Sequence, residues 1–252
     1  MEKTFFLFFL VINLVIGSEI TDIDDSAMEN PDLIEGDIVP EDGYVRCIFC
    51  FSDRNALVSE RELWPKGRIP YVINFELRDK TDLIEEAMEF LNDNTCIQFV
   101  PRTIEKDYIR IEKGSGCNSE LGRGDGGERG LSLGDGCYSL GTVLHELIHS
   151  IGFNHEQTRS DRDDYITIHW ENIKEGSEHN FEKLKPMENK LLLEYDYNSI
   201  MHYGSLSFSK DKRRGLKTMT AKKKGFRLLP PREKMPTDSD IKKINLLYKC
   251  SF

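Results

Sequence analysis

The stretch HELIHSIGFNHEQTRSDRD, residues 145–163, gathers three of the chain's six histidines within eleven positions. His145 and His149 are four apart, so on a helix both imidazoles leave one face about a turn from each other. That separation suits two ligands of one zinc ion, whose bonds to imidazole nitrogen run roughly 2.0 to 2.1 Å. His155 follows six positions after His149. On an unbroken helix it would lie about 15 Å along the axis from His145, too far to share an ion. Gly152 resolves the conflict, because glycine accepts the left-handed conformation that ends a helix and turns the chain. The spacing therefore predicts a helix that carries His145 and His149, a stop at Gly152, and His155 arriving from a second direction.

Three neutral histidines leave a fourth position for water, which is the pattern of a catalytic rather than a structural zinc. Glu146 adjoins the first ligand without being one, and its carboxylate can take a proton from that water and return it to a leaving amine. HExxH alone also occurs on helices that merely expose two histidines. The third histidine and the turn glycine at these offsets separate this stretch from such helices.

Several elements must position these residues. Residues 142–151, apolar at Val143, Leu144, Leu147, Ile148 and Ile151, are predicted to form the ligand-bearing helix. Residues 81–94 read as a second, amphipathic helix opened by a Thr81 cap, with Leu83, Ile84, Ala87, Met88, Phe90 and Leu91 as its stripe. Residues 69–75 have strand composition, and residues 96–100 and 108–112 are shorter strand candidates. Nine glycines crowd residues 114–136, so turns and edge structure are expected there. No GK[ST] follows, so this is not a phosphate-binding loop. Periodicity is poor over residues 153–236. A last helix is expected over residues 237–248, where Thr237 precedes Asp240 by three and Ile241, Ile244, Leu247 and Tyr248 form a stripe.

The chain has 252 residues, 38% of them hydrophobic, enough for one domain with a real core. Residues 1–17, MEKTFFLFFLVINLVIG, join Lys3 to a short apolar run that ends in small residues, the composition of a secretory signal peptide. Residues 18–54 are acidic and poor in aromatics and should not fold alone. That segment carries a net charge of −9 of the chain's −10, leaving −1 for residues 55–252. The body therefore offers no global charge argument for nucleic acid or membrane partners. The abrupt change in composition at Arg54 suggests a boundary cut by an activating protease of trypsin-like or furin-like specificity. Six cysteines in an exported chain are most simply three disulfides. A zinc site built from them is disfavoured, because CIFC at Cys47 and Cys50 has no second close pair at finger spacing.

HELIHSIGFNHEQTRSDRD, together with SIMHY at residues 199–203, resembles the astacin family of zinc endopeptidases within the metzincins. The likeness runs from about Asn55 to the C-terminus, and the entry WPKGRIPYVI is similar to small single-domain arthropod members. It implies an α+β, two-lobed protease domain at residues 55–252, with a mixed sheet and two helices above the cleft. Below the cleft it implies an irregular lobe with a C-terminal helix. It implies one Zn2+ held by His145, His149 and His155, Glu146 as general base, and Met201 in a turn beneath the metal. Tyr203 is implied as a further ligand that swings away to stabilise the oxyanion, a role that suits a neutral phenol donor.

The same resemblance implies that cleavage after Arg54 frees the amino group of Asn55 to pair with Glu156. IEGD at residues 34–37 is similar to the family's prosegment motif, with Ile34 in place of phenylalanine, which makes Asp37 the latency ligand of residues 18–54. The family pairing implies Cys96 with Cys250 and Cys117 with Cys137. CIFC has no counterpart in that pattern, and a local disulfide is its plainest account. Asn118 stands where the family often has an aromatic residue, and Arg232 falls near the first primed pocket. The reading is a secreted, zymogen-encoded, monomeric endopeptidase acting on proteins or peptides, with a digestive, hatching or venom role. The competing readings are a catalytically silent binding protein of this fold and a zinc hydrolase of small molecules.

Overall fold

The computed structural model describes residues 26–40, 59–186 and 190–251. Residues 1–17, Arg54, Asn55, Cys47 and Cys50 lie outside them, so the readings made for those residues are not addressed by the fold.

Helix α1, Thr81–Asn94, buries Ile84, Ala87, Met88 and Leu91, which recur at the helical period and face the hydrophobic core. Ile84, Met88 and Leu91 each stabilise by about 1.5 to 3 kcal/mol when fully buried. The helix is not capped by Thr81 as its sequence suggested. Lys80 is the N-cap, and the Thr81 hydroxyl reaches back to the Leu77 carbonyl at 3.5 Å, because a 3-10 turn at Phe75–Leu77 runs directly into the helix. Helix α2, Leu140–Ile151, starts at Ser139, whose side chain accepts from the Thr142 amide, and nearly every residue of it is buried. Gly152 ends it with φ of 119°, the left-handed stop that the ligand spacing required.

Six strands form one mixed sheet: β1 Ile38–Val39, β2 Arg68–Ile73, β3 Gln98–Pro101, β4 Tyr108–Glu112, β5 Cys117–Glu120 and β6 Glu128–Leu133, in the order β1-β5-β6-β4-β2-β3. Strands β4 and β6 pair in parallel, β5 and β6 antiparallel, and β1 joins β5 in parallel at the edge. The glycine-rich residues 114–136 thus hold two full strands. Pairing between Ser119 and Leu131 and between Ile111 and Leu131 supplies the order that their composition does not. Strand β3 begins two residues later than the sequence suggested.

Below the sheet, residues 153–236 wind through 3-10 turns and a two-stranded ribbon of β7, Ile166–Ile168, and β8, Met219–Ala221. Helix α3, Asp238–Leu247, follows a capping box in which Thr237 and Asp240 bond each other's backbone. Two hydrophobic clusters result. One joins the sheet, α1 and α2 to Met201, Ile244 and Leu247; the other groups Ile166, Phe181, Tyr195, Tyr203, Phe208, Met219 and Leu228. Met201 and Tyr203 belong to different clusters, so the turn between them spans the junction of the two lobes. Disulfides Cys96–Cys250 and Cys117–Cys137 tie α1's end to the C-terminus and β5 to the start of α2.

Candidate metal centre and active site

Helix α2 delivers His145 and His149, and the chain turned at Gly152 delivers His155; all three are fully buried. Their Nε2 atoms converge, His145 lying 3.0 Å from His149 and 3.1 Å from His155. The other nitrogen of each ring is committed elsewhere: His145 Nδ1 to the Ile200 carbonyl at 2.8 Å, His149 Nδ1 to the Phe153 carbonyl at 2.6 Å, and His155 Nδ1 to Glu35 Oε2 at 2.7 Å. With each Nδ1 donating to oxygen, three acceptors crowd together, an arrangement that only shared positive charge reconciles.

Asp37 closes the group. Its Oδ2 lies 3.2 Å from His145 Nε2 and from His155 Nε2, and its Oδ1 lies 3.5 Å from His149 Nε2. Asp37 Oδ1 has no hydrogen-bond partner among the described residues, although the residue is fully buried. One ligand atom from each of Asp37, His145, His149 and His155 fits within 4.8 Å of all the others. A tetrahedron of ligands roughly 2.0 to 2.1 Å from its centre has edges of about 3.4 Å, so this donor set fits one zinc ion. The carboxylates around His155 also draw positive charge to it. Burial opposes charge on His155, but Asp37 and Glu35 outweigh it and lift the imidazole to about 9. Asp37 itself is held well below the ordinary carboxylate range despite its burial, by His155, His149 and His145.

Glu146 is fully buried beside this group, and neither of its carboxylate oxygens finds a hydrogen-bond partner among the described residues. Burial first, and Asp37 second, push its carboxyl well above the usual range. Tyr203 packs its ring 4.6 Å from that of His155, and its hydroxyl donates to the Glu35 carbonyl. Burial, followed by Asp37 and Glu35, raises the phenol well above its ordinary value.

A buried scaffold holds the centre from below. Asp240 Oδ1 accepts from the Ser199 hydroxyl at 2.6 Å and its Oδ2 from the Ile200 amide at 2.9 Å, so the residue that caps α3 also anchors the turn that backs His145. Met201 is buried, and its carbonyl accepts from the Glu156 amide at 2.8 Å. Glu156 follows the third histidine directly in sequence. It is held by Arg159 at 2.8 Å, the Asp196 amide at 2.9 Å and Lys243 at 2.7 Å.

Residues 26–40 lie across the site. Met28 enters the upper core, Glu29 pairs with Lys212 at 2.8 Å, and the Ser119 amide donates to the Asp37 carbonyl at 2.8 Å. Asn118, on the same strand, turns its side chain back to the Ser115 carbonyl at 3.0 Å. A cavity of about 150 Å³ beside Glu29 is lined by Lys212, Lys217 and Arg227, and Arg232 is not among its lining residues. Arg232 stands instead in the 3-10 turn Pro231–Glu233, packed against the start of α2 at Gly141. Sequence reasoning passed over Glu35 and Lys243 and read Asp240 only as part of a helix cap; Glu35 left a signal, lying two residues from Asp37 in the same acidic turn.

A two-lobed α+β fold whose lobes meet at a three-histidine, one-carboxylate centre defines a zinc metalloendopeptidase. Residues 56–249 match the model of the astacin peptidase family, and the chain belongs to that family. Over 228 residues it is 45% identical to Astacin-like metalloprotease toxin 1 of Loxosceles intermedia, covering 90% of this chain and 84% of that protein. Zinc metalloproteinase nas-8 of Caenorhabditis elegans is 42% identical over 79% of this chain and 49% of its own length. Among solved structures, high choriolytic enzyme 1, a hatching enzyme zinc-protease from Oryzias latipes, matches with a TM-score of 0.72 and 43% identity, over 78% of this chain and 100% of that one. No helix among the described residues is long and apolar enough to cross a membrane.

Proposed function

We propose that this chain is a secreted zymogen in which residues 18–54 silence a protease domain at residues 55–252 by placing Asp37 over the zinc site. The observation that carries this reading is the contact of the Asp37 carboxylate with the Nε2 atoms of His145, His149 and His155 at 3.2 to 3.5 Å. His145, His149 and His155 would hold the zinc in both forms, with Asp37 the extra ligand of the latent one. Zinc, when bound, polarises the scissile carbonyl and makes water a nucleophile near neutral pH.

The remaining steps belong to the chain's own side chains. Glu146 adjoins the ligands from within α2, and its unpartnered oxygens take the proton from the attacking water and deliver it to the leaving amine. Tyr203 surrenders its bond to the Glu35 carbonyl when the prosegment leaves, and its Oη–H then donates to the oxyanion. The edge of β5, where the Ser119 amide now binds the Asp37 carbonyl, becomes free for a substrate backbone. Residues 1–17 act as the export signal, and cleavage after Arg54 by a second protease starts activation. The toxin named among the relatives from Loxosceles intermedia and the hatching enzyme from Oryzias latipes support an extracellular role.

The test is peptide cleavage by the unprocessed chain, the processed chain, and variants Glu146→Ala and Asp37→Ala. The processed wild type should cleave protein substrates, a chelator or Glu146→Ala should abolish this, and unprocessed Asp37→Ala should gain activity of at least about tenfold, or ~1.4 kcal/mol of barrier. Cleavage that survives both the chelator and Glu146→Ala would sink the mechanism. A processed form that binds zinc yet cleaves nothing would favour the silent binding protein.

A further inference from the structure

Of the three imidazoles at the centre, two are backed by the protease body and one by the prosegment. His145 and His149 donate from Nδ1 to the neutral carbonyls of Ile200 and Phe153. His155 donates from Nδ1 to the Glu35 carboxylate at 2.7 Å, and the same oxygen accepts from the His155 amide at 3.1 Å. A carboxylate polarises an imidazole N–H more than an amide carbonyl does, and this makes the opposite nitrogen a stronger metal donor.

The turn that places Glu35 is closely specified. Glu35 itself has φ of 50°, a left-handed conformation that L side chains rarely adopt, and Gly36 follows at 82°. A Cβ on Gly36 would stand 2.5 Å from Phe208 Cζ and 2.9 Å from the Met28 carbonyl. Two successive left-handed residues let one short segment present Asp37 to the Nε2 side of His155 and Glu35 to its Nδ1 side. The Glu35 carbonyl meanwhile occupies the Tyr203 hydroxyl. Glu35 is only 7% exposed, so its carboxylate acts in a largely dry setting.

We propose that Glu35 is a positioning residue of the latent form, whose carboxylate fixes the His155 ring and tightens the chain's hold on zinc. Release of the prosegment then removes a zinc ligand and the backing of a second one in a single step, so the mature enzyme holds its metal less firmly than its precursor. This rests on the reading of His145, His149 and His155 as zinc ligands.

The experiment compares the full-length chain with Glu35→Gln, Glu35→Asp and Glu29→Gln, all loaded with zinc. It follows zinc transfer to a chromogenic chelator and the absorption spectrum of the cobalt-substituted proteins. Glu35→Gln should lose zinc on the order of 10- to 100-fold faster than wild type and shift the cobalt spectrum. Glu35→Asp, charged but drawn back from Nδ1, should fall between the two. Glu29→Gln breaks the prosegment's contact with Lys212 without touching His155, so it should match wild type. Equal rates for wild type, Glu35→Gln and Glu35→Asp would overturn the proposal while leaving the zinc ligands in place, as would equal acceleration by Glu29→Gln. A wild-type chain that binds no zinc would overturn the ligand assignment itself.

Discussion

Glu156 Oε2 lies 2.7 Å from Lys243 Nζ, an ion pair buried between the loop that follows the third histidine and helix α3. The other carboxylate oxygen accepts from Arg159 and from the Asp196 amide, so the carboxylate has three partners among the described residues. Removing one partner of a buried pair leaves a charge without compensation, which typically costs about 3 to 5 kcal/mol. Because Arg159 and Asp196 remain, Lys243→Met should lower the unfolding free energy of the full-length chain by about 3 kcal/mol, the low end of that range, measured by urea titration. Glu156→Gln combined with Lys243→Met should cost much less than the two single losses added. Additive losses would show that the pair is not a unit.

Asp240 links two jobs that lie far apart in sequence. It completes the cap of α3, and it bonds Ser199 and Ile200, whose carbonyl orients His145. Asp240→Ala should therefore cost stability through the cap, about 1 kcal/mol. It should also cost about 1.5 to 3 kcal/mol through the lost charged hydrogen bonds. A purely local cap would leave zinc untouched. The relay through Ile200 instead requires that Asp240→Ala also weaken zinc binding, read by competition with a chelator at a temperature where the variant is folded.

The centre was legible because its rule is local. An offset of four from His145 to His149, one of six more to His155, and Gly152 between the last two determine the chain's path with no knowledge of its surroundings. The supports were not legible, because they come from afar: Glu35 lies 120 residues from His155, Lys243 lies 87 from Glu156, and Asp240 lies 40 from Ile200. Nothing in the sequence around an Asp or a Lys marks such a partner. The glycine-rich segment misled for a related reason. Strands β5 and β6 are held by cross-strand pairing and the Cys117–Cys137 bridge rather than by residue preference.

Zinc should stabilise the chain as well as activate it, since the convergent imidazoles and Asp37 fit the ion only when folded. At free zinc about one hundred times its dissociation constant the gain is about 2.7 kcal/mol. Treatment with a chelator should lower the thermal midpoint, and added zinc should restore it in a concentration-dependent way. His149→Ala should abolish that dependence, and a midpoint indifferent to zinc in the wild type would contradict the donor assignment.

Tyr248 offers a test that does not involve the metal. Its hydroxyl donates to the Ile151 carbonyl at 2.7 Å, satisfying an acceptor at the end of the ligand-bearing helix. Burial, only partly offset by a bond from the Trp64 amide, raises the phenol's pKa above the ordinary value. The folded chain therefore binds this proton more tightly than the unfolded chain. The resulting stability is complete below about pH 10, where unfolded tyrosine titrates, and is lost as pH rises toward the folded value. Wild type should accordingly lose stability above about pH 10 in urea titrations. Tyr248→Phe should be less stable at neutral pH by about 1 to 2 kcal/mol, through the orphaned Ile151 carbonyl. Its alkaline decline should be shallower than that of wild type, with the remainder carried by buried Tyr195 and Tyr203. Parallel declines in the two proteins would mean that the Tyr248 proton contributes nothing to folding.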